Sequence, residues 1–124
     1  MNASYRLRKM LLYLGLTVTT LHVLDFLTTY IGVICLGFDE CVTITKQLIN
    51  AYGVLGLAIC KAIPSLVGIM AVVIPIALEK RVDNSLKITI YCYVIGLLII
   101  SNVYMVSVVA NNFYWLTLWM LKAI

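Results

Sequence analysis

Three apolar stretches, Met10–Leu36, Tyr52–Leu78 and Ile88–Ala110, decide what this chain can fold into. Each exceeds the roughly 20 residues that a helix needs to cross the hydrocarbon core of a bilayer. Of the 124 residues, 64% are hydrophobic and 11% charged, against about 45–50% and about 25% in an average soluble protein. A soluble core of this size cannot hide so much apolar surface, so lipid must cover it. The stretches are continuous rather than alternating, which argues against a transmembrane β-barrel. Backbone groups in lipid must be satisfied within their own segment. The expected fold is therefore all-α: one integral membrane domain of three transmembrane helices, without repeats or low-complexity linkers. The first stretch is far longer than the apolar region of a signal peptide, about 7–15 residues, and is expected to remain as a helix.

The net charge of +4 is distributed along the chain. Arg6, Arg8 and Lys9 precede the first span, and Lys80, Arg81 and Lys87 flank the turn between the second and third. Lys46 and Lys122 fall on the other side, beside Asp39 and Glu40. The positive-inside rule then puts the N-terminus and the 78–86 turn in the cytoplasm, with 37–50 and the C-terminus outside a cell membrane. No basic patch is dense enough for a nucleic-acid footprint. The cysteines, Cys35, Cys41, Cys60 and Cys92, lack zinc-type spacing. Cys60 and Cys92 read as buried apolar residues, and a Cys35–Cys41 pair in the outer turn is possible on position alone.

Local signals divide the chain further. The first helix is expected over about 5–36, with Gly37 as its C-terminal cap. A short helix over about 40–50 is expected to lie along the outer surface, capped by Asp39 and carrying Cys41, Ile44, Leu48 and Ile49 on one apolar face. The next helix covers about 51–80 and should bend at Pro64 and Pro75. Asp83 or Asn84 starts a helix to about 112, and the tail 113–124 reads as an aromatic helical extension. Its Tyr114, Trp115 and Trp119 suit a membrane–water boundary.

The first span carries a polar stripe. Gly15, Thr19, His22, Asp25, Thr29 and Gly32 fall within an arc of about 140° at 100° per residue. An aspartate at the centre of a membrane helix costs roughly 2.5–3.5 kcal/mol on insertion scales. Small and hydroxyl residues at this spacing mark a face that packs on another helix. The second span carries Lys61, with Asn50, Gly53, Ser65 and Gly68 within about 80° of it. At 1.5 Å per residue, Asp25 lies about 18 Å below Gly37 and Lys61 about 13–14 Å below Tyr52. The depths agree, so an Asp25–Lys61 pair is expected, with His22, Thr29 and Asn102 nearby. Such a pair either fixes helix register or forms an ion or proton site. His22 and Asp25 alone are too few ligands to specify a metal.

At these residues the chain resembles a family of small prokaryotic membrane proteins catalogued as domain of unknown function 5658. That family carries an Asp and a Thr in its first helix, then Gly-x-x-Glu, then a Gly and a membrane-embedded Lys. The matching positions are Asp25, Thr28, Gly37, Glu40, Gly53 and Lys61, with Asn112 near the end of the last helix. The family follows its Glu with Asn-Pro, where this chain has Cys41 and Val42. The resemblance implies a fold of three or four helices and no particular activity.

No nucleophile triad, phosphate loop or acid couple is present, so a non-catalytic protein without a cofactor is expected. The leading expectation is an accessory subunit of a larger membrane complex, respiratory or oxygenase assemblies being examples, or a homo-oligomer, surrounded by bound lipid. The alternative is a small proton or ion transporter working through Asp25 and Lys61.

Overall fold

A computed structural model describes residues 3–40 and 42–123. The described residues are helical apart from short turns. Helix α1 covers Ala3–Thr29 and continues as a π-helical turn over Tyr30–Cys35. A short helix, α2, covers Thr43–Tyr52, α3 covers Val54–Leu78, and α4 covers Asn84–Ala123. The α1 unit, α3 and α4 are each long and apolar enough to cross a membrane.

Helix ends follow local chemistry. Gly37, at φ +72°, terminates α1, and the Phe38 N–H donates back to the Gly32 carbonyl at 2.9 Å. That wide bond matches the π-helical turn before it. Gly53, at φ +60°, breaks the chain between α2 and α3. Left-handed backbone of this kind favours glycine. The expected Asp39 cap of the short helix is replaced by another arrangement. Glu40 Oε1 accepts the Val42 N–H at 2.9 Å, while Asp39 pairs with Lys46 at 2.6 Å. The face of α2 also differs from expectation, because Ile44 is exposed and Thr45 is buried instead. Cys41, and with it the Cys35–Cys41 pairing, lies outside the described residues. Cys92 is exposed and Cys60 half-buried, so neither is the buried residue expected. The helix α3 runs unbroken through Pro64 and Pro75. The last helix is continuous to Ala123, so the tail beyond 112 is a helical extension of it.

Helix α1 sits between the other two spans. It packs on both α3 and α4, which touch each other far less. Its approach to α3 is antiparallel. Arg8 meets Glu79 at 3.4 Å, a Cβ on Gly15 would overlap Val72, and Gly68 lies against Val18. Further along, Asp25 meets Lys61. Gly15 and Gly68 let the two backbones come close where no hydrophobic drive from water operates. Its approach to α4 is parallel, since Asn102 reaches Leu14 and Asn112 reaches Asp25.

The packing is unequal along the bundle. From the basic end upward, Leu11, Val18, Val72, Tyr91, Ile95, Leu98 and Met105 form one closed core. At the other end α2 folds over the start of α3, where a Cβ on Gly56 would overlap the Leu48 carbonyl oxygen. Between α2 and the closed core the helices leave a cleft.

Candidate functional site

Asp25 is the centre of the site. It lies on the inward face of α1 with 4% of its surface exposed. The Lys61 ammonium, from α3, donates to Asp25 Oδ2 at 2.7 Å. Asp25 Oδ1 accepts from the Thr29 hydroxyl, one turn on, at 3.3 Å. It also accepts from Asn112 Nδ2, on α4, at 3.0 Å. The same Asn112 amide donates to Thr28 Oγ1 at 3.0 Å. Thr28 in turn donates to the Leu24 carbonyl at 2.9 Å. One carboxylate thus ties all three spans together. Its charge is matched and both its oxygens are engaged, which offsets the cost of burial.

The predicted residues divide into three groups. Asp25, Lys61 and Thr29 meet in one cluster. His22 lies beside them, half-buried, on the wall of the cleft. It makes no hydrogen bond among the described residues. Asn102 is elsewhere: it donates to the Leu14 carbonyl at 3.1 Å and to Leu98 at 2.8 Å. Leu14 is about 16 Å below Asp25 along α1, at 1.5 Å per residue. The expected placement of Asn102 in the outer half therefore fails. Asn112 stands level with Asp25, so Asn102, ten residues earlier, lies about 15 Å nearer the basic end at 1.5 Å per residue. Periodicity also left out Thr28 and Asn112. The signal for them was available as a polar Asn111-Asn112 pair inside an otherwise apolar segment.

Beside the cluster opens a cleft of about 860 Å³. Asp25, Lys61, His22 and Asn112 form its polar floor, Asp39 and Glu40 line its outer mouth, and Tyr104 and Met105 carry its wall past the cluster toward the basic end. Val33, Phe38, Tyr104, Val108, Trp115 and Leu116 make much of its walls. Trp115 therefore stands about one turn above Asn112, beside the cluster, with Tyr114 edge-on to it at 5.6 Å. Trp119 is a turn further out. Among the described residues no group of three or more His, Cys, Asp and Glu side chains could hold a metal.

At the basic end, Glu79 sits between Arg8 at 3.4 Å and Lys87 at 4.0 Å. These links tie the start of α1 to the 79–83 turn, so the basic flanks share one end of the bundle. Comparison with family profiles, with curated proteins and with solved structures returned no match.

Proposed function

We propose that this chain is a small, non-catalytic multi-pass protein of the cell membrane that acts as an accessory subunit, either in a larger membrane complex or with copies of itself. The observation that carries this reading is the complete internal pairing of Asp25. Lys61, Thr29 and Asn112 take up its carboxylate oxygens, and the bundle below is closed by an apolar core. A charge held this way fixes the register of three helices. Membership of the family that the sequence resembles is part of the proposal. Its matched positions Asp25, Thr28, Lys61 and Asn112 converge on one cluster, Gly37 and Gly53 adopt positive φ, and Glu40 caps Val42.

One observation favours a second reading, proton or ion transport: the cleft reaches from the outer mouth to the Asp25–Lys61 pair. A double replacement separates the two. Asp25→Asn alone strands a buried ammonium, and one-sided loss in comparable buried pairs costs about 3–5 kcal/mol. Asp25→Asn with Lys61→Met is expected to recover most of the folded yield. Under the subunit reading, vesicles with the native chain and with the double variant show the same background ion flux. Flux through the native chain that the folded double variant lacks would replace the subunit reading with transport.

A further inference from the structure

The cleft has properties that the locking role of Asp25 does not use. An ammonium has three N–H donors. Lys61 gives one to Asp25 Oδ2, and no other acceptor among the described residues is within hydrogen-bond reach. Its side chain keeps 18% exposure, against 6% for Asp25, and it lines the cleft. His22 adds a second side chain with unused hydrogen-bonding capacity on the same floor. At membrane depth an unsatisfied donor is costly, so these side chains favour an acceptor that enters the cleft.

Charge narrows what that acceptor can be. The floor pair is neutral as a unit. The mouth adds Glu40 and the Asp39–Lys46 pair, which leaves the cleft net acidic. An anionic headgroup would meet Glu40 on entry and Asp25 at the floor, so a neutral acceptor is favoured. Depth argues the same way. Lys61 is about 10 Å below the start of α3, at 1.5 Å per residue. The glycerol esters of a bilayer lipid sit at the hydrocarbon boundary and would have to be drawn inward to reach it. The walls are apolar and aromatic, and the volume falls within the roughly 300–1,000 Å³ of small-molecule sites. The separation of α3 from α4 opens the cleft sideways, toward lipid.

We propose that this cleft binds a neutral, lipid-soluble carbonyl compound, with its apolar body along the walls between α3 and α4 and its carbonyl oxygen accepting a hydrogen bond from Lys61. The assignment is independent of the subunit reading, because it uses donors that the internal pair leaves free.

The test uses Trp115 as a reporter, since it lines the cleft. Trp119→Phe leaves it as the single tryptophan, the native chain having two. The full chain, in phosphatidylcholine nanodiscs, is titrated with a decyl-substituted benzoquinone. The expected result is a saturable loss of Trp115 fluorescence. Decylbenzene, with the tail and no carbonyl, is expected to displace the quinone only at about tenfold higher concentration, the worth of one hydrogen bond to a charged donor. Ser107→Phe, which fills the cleft wall, should abolish saturation. Val103→Phe, at an exposed position outside the cleft, should leave it unchanged. Its fluorescence also checks that an added aromatic on α4 is tolerated. Quenching that rises linearly without saturation would overturn the proposal and leave the cleft to bilayer lipid. So would saturation that survives Ser107→Phe, or decylbenzene that competes as well as the quinone.

Discussion

Two asparagines on α4 show how far a polar residue's effect depends on what it meets. Asn112 donates to a buried carboxylate and a threonine hydroxyl on α1. Asn102 donates to two carbonyls, one of them its own helix's Leu98, and its Oδ1 is buried without a partner. Replacing Asn112 with Leu removes a charge-assisted bond. Interhelical hydrogen bonds in membranes average about 0.6 kcal/mol and reach about 1.7, and the charged acceptor puts this one toward the upper value. Replacing Asn102 with Leu also removes an unsatisfied acceptor, so the loss and the gain largely cancel. Reversible unfolding in mixed detergent micelles should show Asn112→Leu destabilised by about 1–2 kcal/mol and Asn102→Leu by less than about 0.5. The reverse order would mean that Asn112 does not support Asp25. The threonines teach a related lesson. Thr17 and Thr20 are exposed, yet each donates to the carbonyl four residues back, which is why hydroxyls on a lipid-facing surface are tolerated. A polar residue in a span is therefore weak evidence of an inward face unless it is ionisable, as Asp25 and Lys61 are.

The glycines of the helices separate packing from propensity. Gly15 and Gly96 are both within long helices. A Cβ at Gly15 would overlap Val72 on α3, whereas nothing lies within 4 Å of one at Gly96. Gly15→Val should push α1 and α3 apart and cost about 1–3 kcal/mol, as overpacking does. Gly96→Ala should raise stability by up to about 1 kcal/mol through helix propensity. Thermal midpoints of the two variants in one detergent check this, and equal behaviour would show that α1 and α3 do not approach at Gly15. The antiparallel α1–α3 register was legible in the sequence, because depths counted from Gly37 and from Tyr52 bring Asp25 and Lys61 to one level. The register of α4 was not. No proline or charge interrupts it between Lys87 and Lys122, and its single glycine there, Gly96, lies mid-helix and marks no end, so periodicity alone leaves open which of its asparagines stands level with Asp25. The bond between Asn112 and Asp25 supplies that information. The cleft was illegible for a further reason. It arises where three helices fail to meet, and periodicity reports faces rather than gaps.

For the molecule as a whole, the unequal ends bear on how it sits in the membrane. Arg8 and Lys87 both approach Glu79, which brings the basic residues in the first turns of α1 and around the 79–83 turn to one end. At the other end are Lys46, paired with Asp39, and Lys122. The 40 residues of α4 make about 60 Å of helix, twice the roughly 30 Å of hydrocarbon. It must tilt or protrude, and its register with α1 carries the excess into both ends. Orientation is set by Lys and Arg near the spans rather than by net charge, so Glu79 and Asp83 do not cancel the bias. The basic end should face the cytoplasm and the mouth of the cleft should open outward. To check this, Cys35, Cys41, Cys60 and Cys92 are replaced by Ala, and a single cysteine is introduced by Ala3→Cys or Ala123→Cys. In intact cells a membrane-impermeant maleimide is expected to label the Ala123→Cys variant and to leave the Ala3→Cys variant unlabelled until the membrane is opened. Labelling of Ala3→Cys in intact cells would invert the orientation. The cleft would then receive its ligand from the cytoplasmic leaflet, and the basic turn would lie outside against the usual bias.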